Sequence, residues 1–264
     1  MKTIRKYWAI FQITLINSLA YPGELIGRSL LMLPFMWIFY QLWNVTFNAS
    51  GTDVINGMTL YSTMWYLMMA ETIELSRPAL ARTISDNVKD GSIAYILNKP
   101  YSFLLYQFSN SMGETLFRAL VNALFGSAIV WWLVGPPPGV MGWTFAFVAL
   151  LGSWILNFCI TCLIGLSAFL VEDVTPFLWI YQKFIFILGG FLIPLDFYPG
   201  WLQTIARALP FSAMIYGPSK LFVEPSWGLL GNVLLMQTVW IVALGFALVV
   251  SYRRGVAYLT VNGG

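Results

Sequence analysis

Apolar residues fill six long blocks of the chain, each close to or above the roughly 20 residues that a membrane-crossing helix needs. The blocks run from Leu25 to Trp43, Met58 to Leu80, Phe103 to Val134, Val140 to Val171, Pro176 to Pro194 and Trp227 to Tyr252. The fourth and sixth hold no charged residue. The third and fourth exceed one crossing, so each is expected to tilt or to project beyond the lipid. The pattern predicts an all-α membrane protein: an N-terminal interfacial helix, six transmembrane helices, and one transmembrane domain over residues 1–264.

Residues 1–22 follow a different pattern. At 100° per residue, Ile4, Trp8, Phe11, Leu15 and Leu19 share one face, while Lys2, Lys6 and Asn17 lie opposite. That describes a helix lying in the membrane interface. Gln12, Thr14, Asn17 and Ser18 interrupt any signal-peptide core, so the segment is not expected to be a signal peptide. Tyr21, Pro22 and Gly23 are expected to turn the chain into the first span.

Composition fits the pattern: of 264 residues, 59% are hydrophobic, 17% aromatic and only 9% charged, against roughly a quarter charged in soluble domains. The absence of histidine removes the usual general base and metal ligand, which argues against conventional hydrolase or zinc chemistry. The two cysteines, Cys159 and Cys162, lie inside an apolar run and read as packing residues. The net charge of +3 is scattered, with no nucleic-acid footprint. Lys and Arg favour the cytoplasmic side. With both termini inside, Lys2, Arg5, Lys6, Arg28, Arg77, Arg82, Lys89, Lys99, Arg253 and Arg254 all fall there.

Two loops carry more than a connection. The segment 83–97 mixes Asp86, Lys89 and Asp90 with Ile84, Val88, Ile93 and Ile96. A short helix over Thr83–Lys89, ended by Gly91, is expected to present an apolar face to another protein. The segment 195–226 is too long for a plain connector. Its helical spacing of Trp201, Leu202, Ile205 and Leu209, followed by a second piece over Ser212–Phe222, predicts an external re-entrant helical hairpin. Lys89 and Ser219 are then expected to be exposed on opposite sides of the membrane.

Ionisable residues inside spans are costly and direct attention to function. Here they are Glu71, Glu74 and Arg77, Glu114 and Arg118, and Lys183, with Glu24 and Arg28 at the start of the first span. All fall in the cytoplasmic half, and Glu74/Arg77 and Glu114/Arg118 can each meet on one helix face. They are expected to form an inner-leaflet charge network, either as a structural pairing or as a polar gate. The outer half is aromatic, with Trp37, Tyr40, Trp43, Tyr61, Trp65, Trp131 and Trp132. Tyr66, Met68 and Met69 form a soft surface that either lines a substrate pathway or packs between helices.

This layout resembles the permease subunits of type-2 ATP-binding-cassette exporters, and within them the drug-resistance-like or uncharacterised subgroup. Two stretches carry the resemblance: ISDNVKDGSIAYILNKPYSFLLYQFSNSMGE, from Ile84 to Glu114, and GGFLIPLDFYPGWLQTIARALPF, from Gly189 to Phe211. The resemblance implies a non-catalytic subunit of a bacterial plasma (inner) membrane exporter that pairs with a second permease, identical or homologous. A separate ATPase subunit would hold ATP and Mg, with no cofactor on this chain. The cargo would be a lipid-like molecule or drug. It also implies that Ile84, Asp86, Val88, Lys89, Asp90 and Gly91 form the coupling helix that docks in the ATPase. The chain contains no G-x-x-x-x-G-K-[ST] loop with which to cradle ATP phosphates itself. Two other readings remain at this stage: an ion-coupled secondary transporter using Glu71, Glu74 and Lys183, and a non-transporting scaffold for a cytoplasmic partner.

Overall fold

A computed structural model describes residues 2–20, 23, 27, 29–171 and 173–262. The expected break at Tyr21 and Pro22, the start of the first block at Leu25, and Glu24 and Arg28 lie outside the described residues. What is described is all α-helical, apart from short 3-10 turns and one isolated bridge between Ile55 and Met58. In chain order the helices are α1 (Lys2–Ala20), α2 (Met32–Ser50), α3 (Leu60–Leu75), α4 (Leu80–Lys89), α5 (Ser92–Leu97) and α6 (Phe103–Val134). They continue with α7 (Val140–Leu166), α8 (Thr175–Leu188), α9 (Gly200–Ala208), α10 (Pro210–Met214), α11 (Tyr216–Val223) and α12 (Trp227–Asn262).

Among the described residues, three helical stretches are long and apolar enough to cross a membrane: Phe103–Val134, Val140–Phe169 and Trp227–Ala257. The other hydrophobic blocks give shorter helices, and local chemistry sets where they end. A reciprocal Thr59–Ser62 cap starts α3, with Ser62 N donating to Thr59 Oγ1 at 3.1 Å and Thr59 N to Ser62 Oγ at 2.8 Å. Pro78 then disfavours helix for the residue before it, so the second block breaks at Ser76 instead of running on to Leu80. The first block continues past Trp43 to Ser50, where Gly51 adopts the left-handed conformation that ends α2. The fifth stops at Leu188, because Gly190 turns the chain at φ +71° where an expected helix would have reached Pro194.

The core surrounds α3. Every residue from Thr63 to Ile73 is buried, and this helix, mostly apolar around its circumference, packs against α2, α6 and α11. α7 and α12 run along each other, and α1 docks on α6. α1 therefore has a second partner besides lipid: Thr14 donates to Asn110 Oδ1 at 2.8 Å, Tyr7 accepts from Ser102 N at 2.9 Å, and Lys6 donates to the Pro100 carbonyl. Ile4, Trp8, Ile16 and Leu19 face outward. Ile84 of α4 packs against Gly165 near one end of α7, whereas Phe222 of α11 approaches Gly142 near the other. About 35 Å of helix separates the two glycines, so α4–α5 and α9–α11 occupy opposite ends of the bundle.

The segment 195–226 forms a 3-10 turn at Leu195–Phe197 followed by α9, α10 and α11. Leu209 is extended ahead of Pro210, which separates α9 from α10. The expected single piece over Ser212–Phe222 divides at Ile215. All of α10–α11 from Ser212 to Phe222 is buried, with α11 wedged between α3 and α7. The expected exposure of Ser219 is thus corrected: it is fully buried, because its helix packs into the bundle instead of capping it.

Candidate functional site

The α4–α5 pair is held by Gly91, whose φ of +76° makes the sharp turn between the two helices. Asp90 fixes that turn by accepting from Ser92 N at 2.8 Å, and this bonding holds its carboxyl below the usual carboxylate range. Ile84 is completely buried, in one cluster with Leu80, Ile93, Phe103, Phe158, Cys159, Cys162 and Phe169. A side chain on Gly165 would press within 3.0 Å of Ile84, so glycine is what lets α4 seat this deeply. The expectation that Ile84 anchors an external partner is therefore corrected. Its apolar face is consumed by α7 of the same chain, and Val88 is half-buried beside it. The face left free carries Arg82, Thr83, Asp86, Lys89 and Asp90, with Tyr95 70% exposed on α5. Lys89 also reaches Asp173 across the start of α8, with Nζ 3.8 Å from Oδ1.

Four of the charges that the sequence places within spans come together. Glu74 pairs with Arg77, Glu114 pairs with Arg118, and Arg118 Nη1 donates to the Arg77 carbonyl at 3.3 Å, which joins the two pairs. The Arg77 guanidinium lies 5.2 Å from the Tyr181 ring centroid, and Tyr181 donates to Asn157 Oδ1 at 2.9 Å. Tyr181 and Asn157 escaped the sequence reading, although a lone Asn in an uncharged span is a detectable signal. Lys183 does not join the group. It is exposed, with Nζ 5.7 Å from the Phe186 ring centroid. Glu71, one turn from Glu74, is also apart: it is 7% exposed, and its Oε2 has no hydrogen-bond partner among the described residues.

Tyr66, Met68 and Met69 belong to the packed core, with at most 2% exposure. Tyr66 donates to the Gly190 carbonyl at 2.7 Å, and Met68 and Met32 fill the space opposite Gly126. Their placement on a substrate pathway is corrected accordingly, because neighbouring helices occupy the space around them. Trp43 and Trp65 are buried as well, whereas Trp37, Trp131 and Trp132 remain exposed at the rim. At the α9–α11 end lies a charge cluster that the sequence reading missed. Lys220, 7% exposed, reaches Glu224 Oε1 at 2.7 Å and Asp196 Oδ2 at 3.4 Å, and Tyr216 donates to Asp196 Oδ1 at 3.1 Å. The Lys220–Glu224 spacing of four was its only sequence trace.

Long apolar helices around a buried central helix, with a short amphipathic pair clamped at one end and paired charges between helices, mark an α-helical membrane protein. The family model described as ABC-2 family transporter protein matches residues 10–263, and the chain belongs to that family. It is a permease subunit of a type-2 ATP-binding-cassette transporter. A search of curated proteins found no match.

Proposed function

We propose that this permease exports a hydrophobic or amphiphilic molecule across a bacterial inner membrane. A separate ATPase subunit holding ATP and Mg would drive it, and a second permease, identical or homologous, would complete the assembly. In this reading six segments cross the bilayer, with both termini and α4–α5 cytoplasmic, and the inner charge group opens and closes as the ATPases move. The observation that carries the proposal is the two-sided character of α4. Ile84 fastens the helix to α7, while Arg82, Asp86, Lys89, Asp90 and Tyr95 remain available to a partner. A displacement of α4 would then pass directly into a long membrane helix.

The test is co-purification of the ATPase with the tagged permease, together with ATP-driven transport in inside-out vesicles. Asp86→Arg combined with Tyr95→Ala should release the ATPase while the permease stays folded. Ile84→Ser should keep much of the ATPase but uncouple its hydrolysis from transport. Full ATPase retention and full transport in both variants would remove the coupling role from this helix pair.

A further inference from the structure

We infer that the cavity between α2, α3 and α8 binds an amphiphilic organic cation, with the Glu71 carboxylate pairing a protonated amine and an aromatic wall holding the apolar body. The inference rests on the permease reading and narrows its substrate class. The cavity measures about 390 Å³, within the range of roughly 300–1,000 Å³ typical of small-molecule sites. Its polar end carries Glu71, Glu74, Arg77 and Gln182, and its apolar end Phe35, Phe186 and Phe191. The Phe191 ring lies 4.9 Å from that of Phe186 and 5.8 Å from that of Phe35, measured between centroids, and the three make a continuous aromatic surface.

The charges select the ligand. Arg77 is already matched by Glu74, so among the described residues the Glu71 carboxyl is the one in the lining that pairs with no cation. Lys183 pairs with neither carboxylate and sits exposed over the Phe186 ring. A buried carboxyl without a partner is costly, and a ligand that supplies a charged N–H donor relieves that cost. An anionic ligand would meet repulsion, and a neutral one would leave Glu71 unpartnered. The quadrupole of the phenyl faces adds attraction for a cation and accepts an aromatic body in stacked geometry.

The test uses the intact chain in phosphatidylcholine nanodiscs and a matched pair of fluorescent probes. Dansylcadaverine carries a primary ammonium, and its N-acetyl derivative has the same body without the charge. After subtraction of binding to empty nanodiscs, the wild type should bind the cation at least about tenfold more tightly than the neutral probe, the scale of one charge-assisted hydrogen bond. Glu71→Gln should erase this preference by weakening the cation alone, and Glu71→Asp should retain most of it. Because Glu71→Gln sits in the core and its folding is itself at stake, a second measurement uses Gln182→Cys at the cavity wall. Dansylcadaverine should slow its modification by a maleimide, and the acetylated probe should not. Equal affinity for the two probes, a preference that survives Glu71→Gln, or equal protection by both probes would overturn the inference. Retention of the ATPase, assayed separately, distinguishes this failure from a failure of the permease reading.

Discussion

Single side chains decide how much the buried polar groups stabilise the bundle. Glu114 and Arg118 satisfy one another, but Arg118 also donates to the Arg77 carbonyl, so the two are not equivalent. Arg118→Met should therefore lower thermal stability more than Glu114→Gln. The double variant should lose less than the two single losses added together, because stranding one partner, not losing the pair, accounts for most of the cost of up to several kcal/mol. Melting of the four proteins in detergent checks this. Tyr66→Phe is a cleaner case, since it deletes one hydroxyl and leaves the Gly190 carbonyl without its donor. A loss of about 1–3 kcal/mol is expected, read as a lower melting temperature. The paired charges could be read in sequence because intrahelical spacing of three or four defines them. Tyr181, Asn157 and the Asp196–Lys220 contact join residues far apart in the chain, and only the packing of separate helices brings them together.

At the scale of elements, α4 depends on one close approach. Gly165→Val would drive a branched side chain into Ile84 and lift the helix from α7. In a background lacking Cys159 and Cys162, Ile84→Cys should resist a polar maleimide and Asp86→Cys should react. Adding Gly165→Val should make the Ile84→Cys variant reactive, and unchanged protection would show that the seat does not rest on this contact. The turn that follows responds to acid. Folding lowers the Asp90 carboxyl below its ordinary value, so its contribution is complete above about pH 4 and disappears as pH falls through the lower folded value. Amide exchange over residues 90–97 should thus be flat from pH 7 to 5 after correction for the intrinsic rate, and Asp90→Ala should already be faster at pH 7. The helices themselves were legible from apolar blocks and from Gly and Pro punctuation. The direction of α4's apolar face was not, because periodicity shows that a helix has such a face but not whether the same chain or another one covers it.

For the whole molecule, the two ends of the bundle make a sidedness test that replaces Ser219 with an accessible position. In the same cysteine-free background, Asp86→Cys on α4 and Thr204→Cys on α9, both exposed, should react with an impermeant reagent from opposite faces of sealed vesicles. Reaction from one face would defeat the six-crossing arrangement. The membrane class was legible from composition alone, while the depth of α10–α11 was not, because buried residues there include Ser212, Ser219 and Lys220, which sequence reading assigns to water. The filled surroundings of α3 also govern permeability. From Thr63 to Met69 the helix is enclosed by its neighbours, and open space begins only at Glu71, so the cavity beside Glu71 does not continue along α3 through the protomer. On the export reading proposed above, cargo would leave that cavity along the flank of the protomer and not through its centre. A lone copy in a bilayer should accordingly be electrically silent.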